Sequence, residues 1–304
     1  AATKRGRNKD TGWAFISGTV NAEPGKVLVR YYCWRSYCGE DADSVVFKVD
    51  SRTGVRQEIE RLKDGDVESG FVYDHNGVPR VAYTENTDGP PKMSYRPTAT
   101  PGWLPLPASR PGYAIEEGVF DEDNNTMYAL ASDKGEAVQL YKLDLAAGTR
   151  TKIMGRDDMD VGTIMTAGRK QVPFGITYTT HKPSVQYLDN NSPWAQLHAA
   201  LMKRFAGQMV YFVDFTRDDS KALFWTSSDR VPGNYYLIDR ANGNKIVQVG
   251  SRMPWFEGKT LAAMRPIEFK SRDGVTLFGY YTAPLGAGTG PHPTVVLPHG
   301  GPFG

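Results

Sequence analysis

The residues best suited to chemistry stand together in Thr294-Val-Val-Leu-Pro-His-Gly-Gly-Pro-Phe-Gly304. Val295, Val296 and Leu297 are consecutive β-favouring apolar residues, and they predict a short strand buried in a sheet covered on both faces. Pro298-His299-Gly300-Gly301-Pro302 then stops that strand. Paired glycines turn sharply and bring the backbone close to a ligand, because no Cβ blocks either move. A backbone N–H presented by such a loop can donate to an oxygen on which negative charge develops, as acyl transfer requires. His299, Gly300 and Gly301 are therefore the candidate site residues of this stretch. No Gly-x-Ser-x-Gly turn occurs anywhere in the chain, so no catalytic nucleophile is assigned within it.

The elements that must hold this loop come just before it. Ile267-Glu-Phe-Lys-Ser-Arg-Asp-Gly274 and Val275-Thr-Leu-Phe-Gly-Tyr-Tyr-Thr282 are two alternating strands around an Asp-Gly turn, a strong short-range hairpin signal. A Gly/Pro-rich loop, Ala283 to Pro293, leads on to Thr294. Composition changes after Trp255, and the spacing predicts a domain boundary near Lys259, with one domain over 1–258 and the start of a second over 259–304.

Upstream, the chain repeats itself. A strand ends on Asp and is followed four residues later by Gly at Asp50 and Gly54, Asp144 and Gly148, and Asp239 and Gly243. Asp and Gly suit such turns, and a short strand resumes after each. A second element, an aromatic-ended strand followed by a polar turn, recurs at Tyr73, Phe120 and Phe215. Weaker copies run through Gly168-Arg-Lys170 and Ala22-Glu-Pro-Gly25. Tyr73 and Phe120 are 47 residues apart, and Phe215 follows after about two more such periods. A period of roughly 40–50 residues carrying four short strands predicts propeller blades. About five fit between Gly12 and Trp255. An irregular pair of β-sandwiches would not need the Asp turn to return at one phase.

One segment breaks the pattern. Ser192-Pro-Trp-Ala-Gln-Leu-His-Ala-Ala-Leu-Met-Lys-Arg-Phe205 predicts a helix with Ser192 as N-cap, Pro193 in its first turn and Gly207 near its end. Trp194, Leu197, Leu201 and Phe205 form its apolar stripe. The expected place is the propeller rim, with His198 an ordinary helix residue rather than a ligand.

Composition narrows the function classes. With 36 Lys+Arg against 34 Asp+Glu the net charge is +2, and Lys4-Arg5-Gly6-Arg7-Asn8-Lys9 is a short terminal run, so nucleic acid is not an expected partner. No apolar run is long enough to span a bilayer, and the first residues do not form a signal peptide. The 16 Tyr, 13 Phe and 6 Trp favour strands, while 32 Gly and 20 Pro punctuate turns. Cys33 and Cys38 are the only cysteines, too few for a zinc site; they suit either a hairpin disulfide or two packed thiols.

A propeller followed by this hairpin and this glycine loop resembles the prolyl oligopeptidase family of serine peptidases, in particular its acylaminoacyl-peptidase and dipeptidyl-aminopeptidase branches. The resemblance is carried by Arg272-Asp-Gly274, Gly279-Tyr280, Pro284, and Pro293 to Pro302, with the helix at 194–205 and Pro232-Gly-Asn-Tyr-Tyr236 in support. It implies a mainly β chain: part of a β-propeller of seven or eight blades, then the first strands of an α/β-hydrolase domain. It implies short peptides as substrate, no cofactor, and a Ser, Asp and His in that order beyond residue 304. His75, His181, His198, His292 and His299 all precede that point, so none is assigned as the triad base. The resemblance implies that His299, Gly300 and Gly301 form the oxyanion-hole loop, and in some members a Tyr that helps hold the oxyanion stands where His299 is. The resemblance also implies that this stretch is inactive by itself and, with strand edges left open, folds poorly alone. Two alternatives share these features: a propeller binding module fused to a degenerate hydrolase domain, and an esterase or amidase.

Overall fold

The computed structural model describes residues 12–20, 22–33, 44–62, 70–86, 89–97, 102–106, 115–132, 136–145, 147, 149–179 and 181–298. The basic run at 4–9, Cys38, and the loop His299-Gly300-Gly301 lie outside them. Cys33 is disulfide-bonded. No helix among the described residues is long and apolar enough to cross a membrane.

Five antiparallel sheets succeed one another along the chain, each with its strands in sequence order. The first holds β1 (Gly12–Thr19), β2 (Lys26–Cys33), β3 (Ser44–Asp50) and β4 (Arg56–Leu62); the second holds β5 (Gly70–Tyr73), β6 (Pro79–Asn86), β7 (Gly89–Tyr95) and β8 (Leu104–Pro105). The third is β9 (Ile115–Phe120), β10 (Thr126–Ala131), β11 (Gln139–Asp144) and β12 (Thr149–Met154). The fourth has three strands, β13 (Thr163–Ala167), β14 (Val172–Tyr178) and β15 (Ser184–Tyr187), and is followed by helix α1 (Pro193–Arg204). The fifth is β16 (Met209–Phe215), β17 (Lys221–Ser227), β18 (Asn234–Asp239) and β19 (Lys245–Ser251). These are the five expected propeller blades. A separate hairpin, β20 (Met264–Lys270) and β21 (Thr276–Thr282), comes last.

The two sequence repeats mark fixed places in a blade. Tyr73, Phe120 and Phe215 end the first strands of blades two, three and five. The next turn contains a residue in the left-handed region, Gly77 (φ 73°), Asn124 (φ 56°) or Asp219 (φ 56°), and the corresponding turn of blade four contains two, Gly168 (φ 76°) and Gln171 (φ 54°). Asp50, Asp144 and Asp239 end the third strands of blades one, three and five. Asp50 Oδ1 accepts from the backbone N–H groups of Arg52 and Thr53, and Asp144 Oδ1 from that of Ala147, which closes each turn. Across the sheet, Asp50 pairs with Lys26 at 2.9 Å and Asp239 pairs with Lys221. Lys26 and Lys221 each open a second strand and stand in register with their Asp.

Strand alternation sends successive side chains to opposite faces of a blade, so each blade must be covered on both sides. In β10, Met127, Ala129 and Ala131 face blade two, packing with Val81, Met93 and Tyr95. The intervening Leu130 joins Ile164 and Ile176 of blade four. Val20, Leu28 and Val46 of blade one meet Phe71 and Ala82 of blade two, and a fourth cluster joins blades four and five. The large buried groups therefore lie between blades. Burying a side chain such as Phe120 or Phe224 stabilises by roughly 1.5–3 kcal/mol.

Helix α1 forms as expected, with Ser192 Oγ accepting from Ala195 N–H, and Gln196, Ala199, Ala200, Lys203 and Arg204 on its outer face are exposed. Ala195, His198 and Leu201 are buried in the cluster between blades four and five. His198 is 1 % exposed: the Tyr187 hydroxyl donates to Nδ1 at 2.9 Å and Nε2 donates to the Val210 carbonyl at 2.9 Å. Burial holds this imidazole below its ordinary pKa, in the neutral form that these two bonds require.

One expectation changes. Thr294 to Leu297 form no strand, and Val295, Val296 and Leu297 are 92 %, 83 % and 90 % exposed. A strand exists through a ladder with a neighbour, and among the described residues β20 and β21 pair only with each other. Pro293 and Pro298 bracket the segment without N–H donors.

Asp74 and Arg80 form the most deeply buried ion pair among the described residues, at 3.3 Å with side chains 3 % and 4 % exposed. Asp74 Oδ1 also accepts from Asn76 and Val78 N–H, while Arg80 donates to the carbonyls of Arg96, Pro97 and Asn124. Breaking a buried pair from one side typically costs 3–5 kcal/mol. Asp74→Ala is therefore expected to lower unfolding stability by about 3 kcal/mol or more in urea titration. Adding Arg80→Met to it should cost less than the sum of the two single changes.

Candidate functional site

Blades one to four converge on a cavity of about 430 Å³. Its walls come from the ends of first strands and the turns after them: Ser17, Gly18 and Thr19 of β1, Phe71 to Tyr73 of β5, Gly118 of β9, and Lys170 and Gln171 after β13. Leu28 and Met93 add apolar surface. Gly118 lets blades two and three pack closely at the wall, since a Cβ there would lie 3.2 Å from both Met127 and Val72 side chains.

The polar groups in the cavity have defined partners. The Ser17 and Tyr73 hydroxyls are 3.0 Å apart. His75 donates its backbone N–H to Asn124 Oδ1 at 2.8 Å, and its Nε2 lies 2.9 Å from the Asp121 carbonyl. Lys170 Nζ meets Glu122 Oε1 at 2.7 Å. Gln171 receives a hydrogen bond from Thr166 and donates one to the Gly168 carbonyl. Ser17 Oγ also reaches the Leu28 carbonyl at 3.4 Å. The cavity is a polar-rimmed opening with an apolar wall, the general form of a ligand-contacting site.

These residues escaped sequence reading because Ser17, Tyr73, Gly118 and Lys170 are far apart along the chain. The repeat phase held the signal: the first-to-second-strand turns of successive blades must gather at one end. Of the predicted oxyanion loop, His299, Gly300 and Gly301 lie outside the described residues. The hairpin before it is formed in full register, from Met264 opposite Thr282 to Lys270 opposite Thr276. His292 bonds locally, its Nε2 3.0 Å from the Gly288 carbonyl, and faces no nucleophile among the described residues.

Burial raises the Tyr73 phenol from 10.0 to about 12, the hydrogen bond to Ser17 only partly opposing it. The folded state thus resists ionisation that the unfolded chain undergoes. Its contribution is intact below about pH 10 and lost as pH climbs towards about 12. Over that interval wild-type stability should fall more steeply than that of Tyr73→Phe, by up to roughly 1.4 kcal/mol per pH unit. Urea titrations at about pH 9, 10 and 11 read the difference between the slopes.

No protein-family model matches the chain. Over 311 aligned residues it is 27% identical to dipeptidyl aminopeptidase BIII of Pseudoxanthomonas mexicana, covering 95% of this chain and 42% of that protein. Among solved structures, it superposes on a prolyl endopeptidase with a TM-score of 0.56 at 10% identity, over 88% of this chain and 39% of the other. Prolyl oligopeptidase B from Galerina marginata gives 0.54 at 8% identity, with coverages of 89% and 39%. Puromycin hydrolase gives 0.54 at 15%, with coverages of 86% and 41%. At such identities the superpositions establish the fold alone. The chain spans about two fifths of the length of these relatives. The superpositions thus show a propeller fold like that of prolyl oligopeptidases, and in sequence the chain is similar to a dipeptidyl aminopeptidase along nearly its whole length.

Proposed function

We propose that this chain is the propeller and opening hairpin of a serine-type peptidase that hydrolyses short peptides. The observation that carries the reading is the 27% identity to a dipeptidyl aminopeptidase over 95% of the chain, since the structural likenesses speak only to fold. Residues 1–258 would be the propeller and 259–304 the start of the peptidase domain. The Ser, Asp and His would then lie beyond residue 304. The His would take the Ser proton during attack, and the Asp would hold the imidazole in place.

In this reading Gly300 or Gly301 offers a backbone N–H to the tetrahedral oxyanion. A pre-aimed donor of this kind is worth about 10²–10³ in turnover, because its dipole need not reorganise as charge forms. The propeller contributes no reacting group. It limits what reaches the active centre, and the cavity between blades one and four offers a polar rim to a passing chain. A peptide backbone fits such a rim, since every residue brings a carbonyl and most an N–H.

The full-length protein is expected to react covalently with a fluorophosphonate probe and to release chromophore from aminoacyl or dipeptidyl amides. Residues 1–304 expressed alone should not label. Labelling of the isolated 304-residue chain would place a nucleophile within it and overturn the assignment. Labelling of the full-length protein with cleavage of simple esters alone would favour an esterase. A full-length protein that neither labels nor cleaves would favour a binding module.

A further inference from the structure

Met264–Lys270 and Thr276–Thr282 are held on the propeller through one face of their hairpin. Glu268 stands opposite Phe278 and Pro266 opposite Tyr280, so Glu268, Phe278 and Tyr280 share that face. All three meet the turn between β14 and β15. The Tyr280 hydroxyl is 2.9 Å from the Thr179 carbonyl and 2.7 Å from the His181 carbonyl, and its one proton is shared between them. The His181 ring meets Phe278 edge-on at 4.5 Å between centroids, and His181 Nε2 lies 3.3 Å from Glu268 Oε1. A further bond runs from Met264 N–H to Asp229 Oδ2 at 2.8 Å, in the connection between β17 and β18. The hairpin therefore touches the second-to-third-strand connections of blades four and five. The cavity lies at the first-to-second-strand turns, which antiparallel strands place at the opposite end of each blade.

His181 is held at φ 63°, where a side chain is strained. Its backbone in that state presents the carbonyl that Tyr280 uses, while its ring covers Phe278. The carbonyl acceptors belong to the propeller and the donor belongs to the hairpin. Losing the hydroxyl therefore leaves each part's own strand ladder untouched.

We propose that Tyr280 and His181 form a latch that fixes the hairpin against blades four and five and so sets how large a substrate can pass between the two parts. The second half of this statement rests on the peptidase reading given above; the latch itself does not. Tyr280 is here a positioning residue, acting through the seat of the hairpin and not on a reacting atom.

The test uses the full-length protein with Tyr280→Phe, which keeps the ring, and His181→Gly, which tolerates the backbone conformation and keeps the carbonyl but loses the ring contacts. Hydrogen–deuterium exchange reports peptides covering 181–187 and 276–282. One net hydrogen bond corresponds to about a fivefold change in an opening equilibrium. Tyr280→Phe should therefore speed exchange in both segments by about fivefold, with His181→Gly acting in the same direction. For catalysis, kcat/KM for a peptide of roughly 20 residues is compared with that for a dipeptidyl chromogenic amide. The ratio should shift towards the longer peptide by about threefold or more, while kcat for the amide stays within about twofold. Faster exchange confined to 276–282, or no change, overturns the latch. Faster exchange in both segments with an unchanged substrate ratio overturns the gating half and leaves the latch. If the wild-type protein cleaves neither substrate, the peptidase reading and the gating half fall together, and exchange alone decides the latch.

Discussion

A twisted sheet with apolar groups on both faces is unstable until both faces are covered, and this requirement governs the structure. The buried clusters join blade one to two, two to three, three to four and four to five. Blade packing is apolar and tolerant of sliding, so something must fix the phase between neighbours. Polar groups in the first-to-second-strand turns supply it. Asn124 Oδ1 accepts from His75 N–H, and Asp219 Oδ1 accepts from Arg169 N–H at 2.6 Å, the same device in two blade pairs. Asn124 and Asp219 both occupy the left-handed region, a conformation that short polar side chains tolerate and that aims their oxygens outward. The Asp74–Arg80 pair adds a bond from Arg80 to the Asn124 carbonyl at the same junction.

Blade four shows how the rule is met when a strand is lacking. After β15 the chain enters α1, whose apolar stripe must be buried somewhere. It takes the space between blades four and five, with Trp194 edge-on to Phe215 at 5.1 Å and Phe205 edge-on to Phe224 at 5.7 Å. Placing a histidine in that core would cost the desolvation of two ring nitrogens. Tyr187 from blade four and the Val210 carbonyl from blade five satisfy both, so His198 ties the helix to each neighbour.

Much of this was legible because the informative residues act locally. Asp-x3-Gly closes a turn by bonding its own backbone, Ser192 and Pro193 start a helix by capping it, and Asp273-Gly274 reverses a hairpin, with Gly274 at φ 84°. Such signals survive without knowledge of distant contacts. What was missed depends on them. The apolar stripe of α1 indicated that one face is buried but not against what, so the burial of His198 went unseen. The run from Val295 to Leu297 carries strand propensity, yet propensity is weak beside the requirement for a hydrogen-bonded neighbour. The cavity has no local signal at all, because its walls come from four blades.

The departures from the repeat indicate where the molecule does more than fold. Non-glycine residues in the left-handed region recur in the first-to-second-strand turns, at Asn124, Gln171 and Asp219, and once in a third-to-fourth-strand turn, at Asn244. Each serves the blade or its neighbour. Among the described residues His181 alone adopts that conformation in a second-to-third-strand turn. A non-glycine residue there costs about 1–2 kcal/mol. The contacts that offset it come from outside blade four: the His181 carbonyl bonds Tyr280 and its ring meets Phe278 and Glu268, all in the hairpin. Strain kept at one site and compensated by a different part of the chain marks a junction rather than a core. The repeat holds the propeller in phase, and this exception, with the Met264 N–H to Asp229 bond beside it, ties the propeller to the hairpin.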